Sequence, residues 1–215
     1  MRSNPVREAG PNKAPRRTEV VPFTLAEVDR IAAELGPLYG PLVVFAAETG
    51  LRPAEWLALE RQDVQRSVVV VERTLGRDRV KPYAKTERSR RRVPLSSRAL
   101  EALEQLPRRI DTRLVFPTAS GAHIELDNWR SREWLPALDA AGVTRRRPYD
   151  LRHTAITNWL AAGLSVFEVS RYAGTSLAMI STVYGHLALG AEDNARARLD
   201  AWAKNGPRAI DATDQ

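Results

Sequence analysis

The spacing of apolar and polar positions divides the chain into a helical first part, a short β-rich middle and a helical remainder. Leu25, Val28, Ile31 and Ala32 recur at helical spacing behind Thr24. Glu27 stands three residues after that threonine, the arrangement of a capping box. Residues 37–49 are apolar on most sides (Leu42, Val43, Phe45, Ala46), which predicts a second, buried helix capped by Gly50. Pro53 suits the first turn of a third helix, with Arg52 at its mouth and Glu55 one turn along the same face.

Residues 67–74 (S-V-V-V-V-E-R-T) are β-branched and predict a strand, after which L-G-R-D turns the chain. Residues 80–86 and 91–95 are predicted to pair as a hairpin with Lys85 near its tip. Ser96 or Ser97 caps a helix running to Leu106. Residues 112–123 read as a loop, and 127–141 as a helix stopped by Gly142. Residues 151–162, 166–172 and 176–184 form short helices separated by Gly163 and Gly174, and 191–202 form a last one. There is no internal repeat. The pattern predicts a mainly α fold with one small antiparallel β-sheet, an α+β class. Trp56, Trp129, Trp134, Trp159 and Trp202 fall among apolar neighbours, so they read as core or subunit contacts rather than base-stacking platforms.

With 215 residues and 43% apolar content, the chain holds one sizeable core. Residues 1–21 are rich in Pro, Arg and Asn without periodicity and read as a linker or tail; 22–203 are expected to fold, and 204–215 form a polar tail. No apolar run reaches bilayer-spanning length, and residues 1–17 are too polar for a signal peptide, so the cytoplasm is the expected location. The absence of cysteine excludes disulfides, thiolate chemistry and cysteine-ligated zinc.

Charge changes the picture further. Lys and Arg number 33 against 26 Asp and Glu, a net charge of +7 that favours a polyanionic partner. The excess is clustered at Arg88, Arg90, Arg91 and Arg92 and at Arg145, Arg146 and Arg147, beside the residues able to do chemistry. Those are Arg52, Lys85, Arg152 and Tyr184. An arginine fork holds two phosphate oxygens, and a tyrosine attacks phosphorus once its proton is removed. Singly, each has a plain structural reading: an Arg52–Glu55 salt bridge, a solvated lysine, a half-buried tyrosine.

Taken together they resemble the tyrosine recombinase (phage integrase) family over about residues 21–202. T-G-L-R-P-A-E-W-L-A-L (residues 49–59) looks like the family's first arginine box. K-T-E-R-S-R-R-R-V-P-L (residues 85–95) is similar to its hairpin lysine segment. Y-D-L-R-H-T (residues 149–154) and T-V-Y-G-H (residues 182–186) look like its second arginine and nucleophile boxes. The resemblance implies a recombinase catalytic domain. Tyr184 would form a 3′-phosphotyrosine link, Arg52 and Arg152 would clamp the phosphate, and Lys85 would be the general acid.

Glu55 would orient Arg52, and no metal or cofactor would be needed. Double-stranded DNA would be the partner, with a homo-tetramer assembled on it at the nucleoid. Residues 1–21 would then be what remains beside an absent N-terminal DNA-binding domain. The chain departs from the family pattern at Tyr149 and Thr175, where the family usually has histidine, or at the second place tryptophan. Of the three histidines, His153 reads as a structural hydrogen-bonding residue, His186 as a candidate base and His123 as surface loop. A non-cleaving DNA-binding relative and a topoisomerase-like relaxing enzyme are the competing readings.

Overall fold

The computed structural model of the chain describes residues 21–76, 79–82, 90–185 and 192–205. Helix α1, Leu25–Thr49, begins with the expected box: Thr24 Oγ1 accepts from the Glu27 N–H at 3.1 Å, and Glu27 Oε2 accepts from the Thr24 N–H at 2.7 Å. The two predicted helices are one bent element, with the bend at Gly36 (φ 64°, ψ −169°). Pro37 disfavours the α region at the residue before it, and glycine accepts the unusual backbone that results. By length and composition alone this 25-residue helix would be long and apolar enough to cross a membrane, which the shorter apolar runs of the sequence did not suggest. Its bend, and the burial of Val28, Ile31, Leu42, Val43 and Phe45 in the protein's own core, make it the central helix of a globular fold instead.

Gly50 ends α1 in the left-handed region at φ 60° and caps the carbonyl of Ala46. A Cβ there would lie 3.1 Å from the Trp159 ring and 3.2 Å from Ala155 Cβ, so the glycine also permits close packing of a later helix. The short helix α2, Pro53–Trp56, follows at once. Its cap is Arg52, whose N–H donates to Glu55 Oε2 at 2.7 Å.

Strands β1 (Val64–Gln65), β2 (Val68–Val71) and β5 (Arg91–Pro94) form an antiparallel sheet in the order β1-β2-β5. Strands β3 (Arg73–Leu75) and β4 (Val80–Pro82) pair separately. This corrects the predicted hairpin of 80–86 with 91–95: the partner of 91–94 is 68–71. Register explains the choice, since Val69 faces Val93 and both are buried, whereas the described part of β4 is exposed throughout.

Helix α3, Ser97–Glu104, is capped by Ser96. Helix α4 (Leu126–Trp129), a π-turn (Arg130–Trp134) and α5 (Leu135–Ala140) run on as one helical stretch. Pro136 has no N–H for an ordinary bond to Arg132, and the wider turn before it absorbs that loss. Helices α6 (Asp150–Ala161), α7 (Val166–Ala173) and α8 (Leu177–Tyr184) follow, then α9 (Glu192–Asn205). Helix α1 packs against α3 and α6. Trp56, Trp129 and Trp134 are core residues, Trp159 leans on Tyr172, and Trp202 is exposed. A smaller apolar cluster of Ile156, Val169, Ala173, Ile180 and Tyr184 joins α6, α7 and α8.

Strand β5 is tied to the helices by one buried ion pair. Arg91 donates to Glu55 through Nη1 at 3.0 Å and Nη2 at 2.7 Å, with both side chains almost wholly inside the protein. Removing the carboxylate would leave a buried, uncompensated guanidinium. Glu55→Ala is therefore expected to lower the unfolding free energy by about 3–5 kcal/mol, measured by urea denaturation. A loss below about 1 kcal/mol would mean that solvent reaches Arg91 readily.

Candidate active site

Helix α7 is where the candidate residues meet. It ends at Gly174 (φ 61°, ψ 51°), whose N–H and that of Thr175 turn back onto the carbonyls of Arg171 and Ser170. That closure leaves the carbonyls of residues 172, 173 and 174 without partners in the helix, at the end where its dipole is negative. Three arginines from three distant parts of the chain take them in turn. Arg91 Nε donates to Tyr172 O at 2.6 Å, Arg152 Nη2 to Ala173 O at 2.7 Å, and Arg52 Nη2 to Gly174 O at 2.7 Å.

Arg152, near the start of α6, is only 3% exposed and also donates through Nη1 to Gly50 O at 2.7 Å. It thus bridges the C-terminal ends of α1 and α7. Burial, and next the charge of Arg52, lower its pKa to about 10, so it stays cationic at neutral pH. Arg52 is the more open of the two, with 32% of its side chain exposed. Its Nη1 is held by Glu55 Oε1 at 2.8 Å, so Glu55 orients Arg52 and Arg91 together.

Tyr184 ends α8 and is 4% exposed. Its hydroxyl lies 2.5 Å from His153 Nδ1, and the two ring centroids are 5.9 Å apart. Burial raises the phenol pKa above its usual value of 10.0, against the opposing pull of the Arg152 charge. Burial likewise lowers His153; Asp150 acts against that shift, while Arg152 and Arg147 add to it. Tyr149 is 37% exposed and sits edge-on to the imidazole at 5.4 Å. Thr175 is half-buried at the turn after α7, its N–H on Ser170 O at 3.1 Å.

The basic runs divide. Arg90 and Arg92 are exposed, and Arg92 lies on the outer face of β5. Arg147 is largely exposed beside Asp150, and Arg145 is paired with Asp139 in the open. Arg91 departs from its expected place on DNA, because its guanidinium is spent inside on Glu55 and Tyr172 O. Arg146 departs too: it grips Glu27 and the Pro22 carbonyl, and lies 3.7 Å over the Phe23 ring. The signal for Arg91 was present in the sequence, since strand alternation puts residue 91 on the same face as Val93. Lys85, Arg88 and His186 lie outside the described residues. His123, exposed as expected, approaches Leu57 O at 3.0 Å. Among the described residues no cluster of histidine and carboxylate side chains could hold a metal ion.

The arrangement therefore offers two anchored cations, Arg52 and Arg152, the second of which acts on a tyrosine hydroxyl that touches an imidazole. The model of the phage integrase family matches residues 25–189. A putative prophage phiRv2 integrase of Mycobacterium tuberculosis is 27% identical over 217 residues, covering 94% of this chain; this chain spans 57% of that relative's length. Among solved structures, the Tn1549 transposon integrase in complex with circular intermediate DNA superposes with a TM-score of 0.69 at 19% identity, covering 86% of this chain and 68% of that one. XerA recombinase superposes with a TM-score of 0.63 at 22% identity, covering 89% and 67%. The chain belongs to the phage integrase family.

Proposed function

We propose that this chain is the catalytic part of a site-specific DNA recombinase, an integrase of a prophage or similar mobile element, that cuts and rejoins strands through a 3′-phosphotyrosine. One observation carries the reading: Arg52 and Arg152 are both fixed on main-chain carbonyls at the end of α7, and the Arg152 charge acts on the Tyr184 hydroxyl. Anchored guanidiniums lose little freedom when an oxyanion arrives, which is the condition for stabilising a pentacoordinate phosphorane.

In the reaction, the Tyr184 oxygen attacks phosphorus and the bond to the 5′ oxygen breaks. Arg52 and Arg152 hold the non-bridging oxygens, and Lys85 gives the departing 5′ oxygen its proton. The new phosphodiester to tyrosine keeps the bond energy, so a 5′ hydroxyl can reverse the step without ATP or a metal ion. Tyr149 and Thr175 donate hydrogen bonds to the phosphate. Arg88, Arg90, Arg92, Arg145 and Arg147 lie along the duplex backbone, where they add affinity rather than sequence readout. The protein works at the nucleoid, as a homo-tetramer on its double-stranded recombination site. A second reading, a DNA-binding relative that does not cleave, is favoured by one observation: neither Tyr149 nor Thr175 can take up a proton as histidine would.

A nicked duplex, selected for binding from a randomised pool, traps the covalent intermediate when the cut fragment diffuses away. The expected result is an adduct on a denaturing gel that is absent with Tyr184→Phe. Binding without any adduct would support the second reading. Arg152→Ala is expected to slow adduct formation about 10²–10³-fold. Binding should weaken with salt, and Arg92→Gln should reduce the slope of log K against log salt by about 0.9, the share of one phosphate contact.

A further inference from the structure

We propose that His153 is the proton acceptor for the Tyr184 hydroxyl, the task left open by the tyrosine at position 149. The proposal rests on the recombinase reading above and extends it to a residue that the four sequence boxes gave only a structural part. A phenol hydroxyl at position 149 can donate a hydrogen bond but lacks the free basic nitrogen that an imidazole would bring. His153 follows Arg152 on α6 and lies close enough to feel its charge, so the imidazole is near the proposed phosphate clamp. Its Nδ1 is 2.5 Å from the nucleophilic oxygen, within the reach required of a general base.

The surroundings favour an imidazole that is neutral before the reaction. Tyr149 packs on it from the start of α6, Tyr184 meets it from α8, Asp150 and Arg152 flank it on α6, and Arg147 faces it from the loop before. Burial outweighs the single carboxylate and holds the resting ring unprotonated, with Nδ1 able to accept once the proton sits on Nε2. As the Tyr184 oxygen bonds to phosphorus, its proton passes to Nδ1 and the 5′ oxygen leaves with the proton of Lys85. The products are a phosphotyrosine, a free 5′ hydroxyl, a neutral lysine and an imidazolium, with the total charge unchanged. Asp150 then stabilises the imidazolium, and rejoining runs the same transfers backwards.

A purely structural histidine would make the same contact, so the test must separate the two. His153→Asn keeps a polar atom near the Nδ1 position and can hold the Tyr184 hydroxyl, but it cannot take up a proton. Single-turnover adduct formation on the nicked duplex is measured from pH 5 to 9. The wild-type rate is expected to fall on the acid side with a midpoint below the ordinary histidine value of 6.5. His153→Asn is expected to be slower by about 10²-fold at pH 7 and to recover about tenfold per pH unit as the phenolate forms directly.

A phosphorothiolate with sulfur at the bridging 5′ position needs no leaving-group proton. It should restore Lys85→Ala and leave His153→Asn slow. Equal slowing of His153→Asn at every pH, or its rescue by the bridging sulfur, would overturn the proposal. Asp150→Asn gives a second handle that leaves the histidine in place: it should move the acid limb to lower pH, and an unmoved limb would also overturn the assignment. If wild-type protein forms no adduct that Tyr184→Phe abolishes, the recombinase reading itself falls, and this inference with it.

Discussion

A helix that stops inside a protein leaves carbonyl oxygens that something must satisfy, and here the end of α7 organises the site. Its last three carbonyls are met by Arg91, Arg152 and Arg52 in sequence order along the helix end. The partial negative charge of the helix terminus offsets part of the repulsion among the three guanidiniums. Glu55 supplies a full negative charge bound to two of them, Arg52 and Arg91. The same oxygens that close the helix therefore hold the cations in place, as the proposed grip on a phosphate requires.

The candidate catalytic residues differ in how tightly the fold grips them. Arg152 is buried and bonded at both nitrogen tips, whereas Arg52 keeps part of its side chain in water. Tyr184 belongs to a small apolar cluster separate from the main core, assembled from α6, α7 and α8. Fewer apolar neighbours mean that this end of the molecule opens at lower free energy than the core around α1. On the function proposed above, a tyrosine that has to reach phosphorus gains from that placement.

Much of this was legible in the sequence because it is local. The box at Thr24 and Glu27, the stop at Gly50, Pro53 in a first turn and the arginine at its mouth all depend on neighbours within four residues. Pairing of β5 with β2 was not legible, because both candidate partners had the same two-residue period and the choice rested on a distant row of valines. Arg91 and Arg146 looked like members of surface runs; the surrounding arginines drew attention from the alternation that turns the first inward, and contacts with the segment before α1 hid the second. The meeting of His153 with Tyr184 depends on how α8 lies against α6, and side-chain spacing carries no sign of a crossing geometry.

The oxygens that anchor Arg52 and Arg152 belong to the main chain at Gly50, Ala173 and Gly174. A peptide carbonyl is present whatever side chain occupies its residue, so a substitution at these positions does not delete the acceptor. Only a change that moves the backbone can release the clamp. Sequence drift can therefore rework the surface and even the core around this centre while the placement of its two cations survives. Inheritance of the chemistry then needs few fixed letters: the cations themselves, and the glycines that let two helices stop where they do.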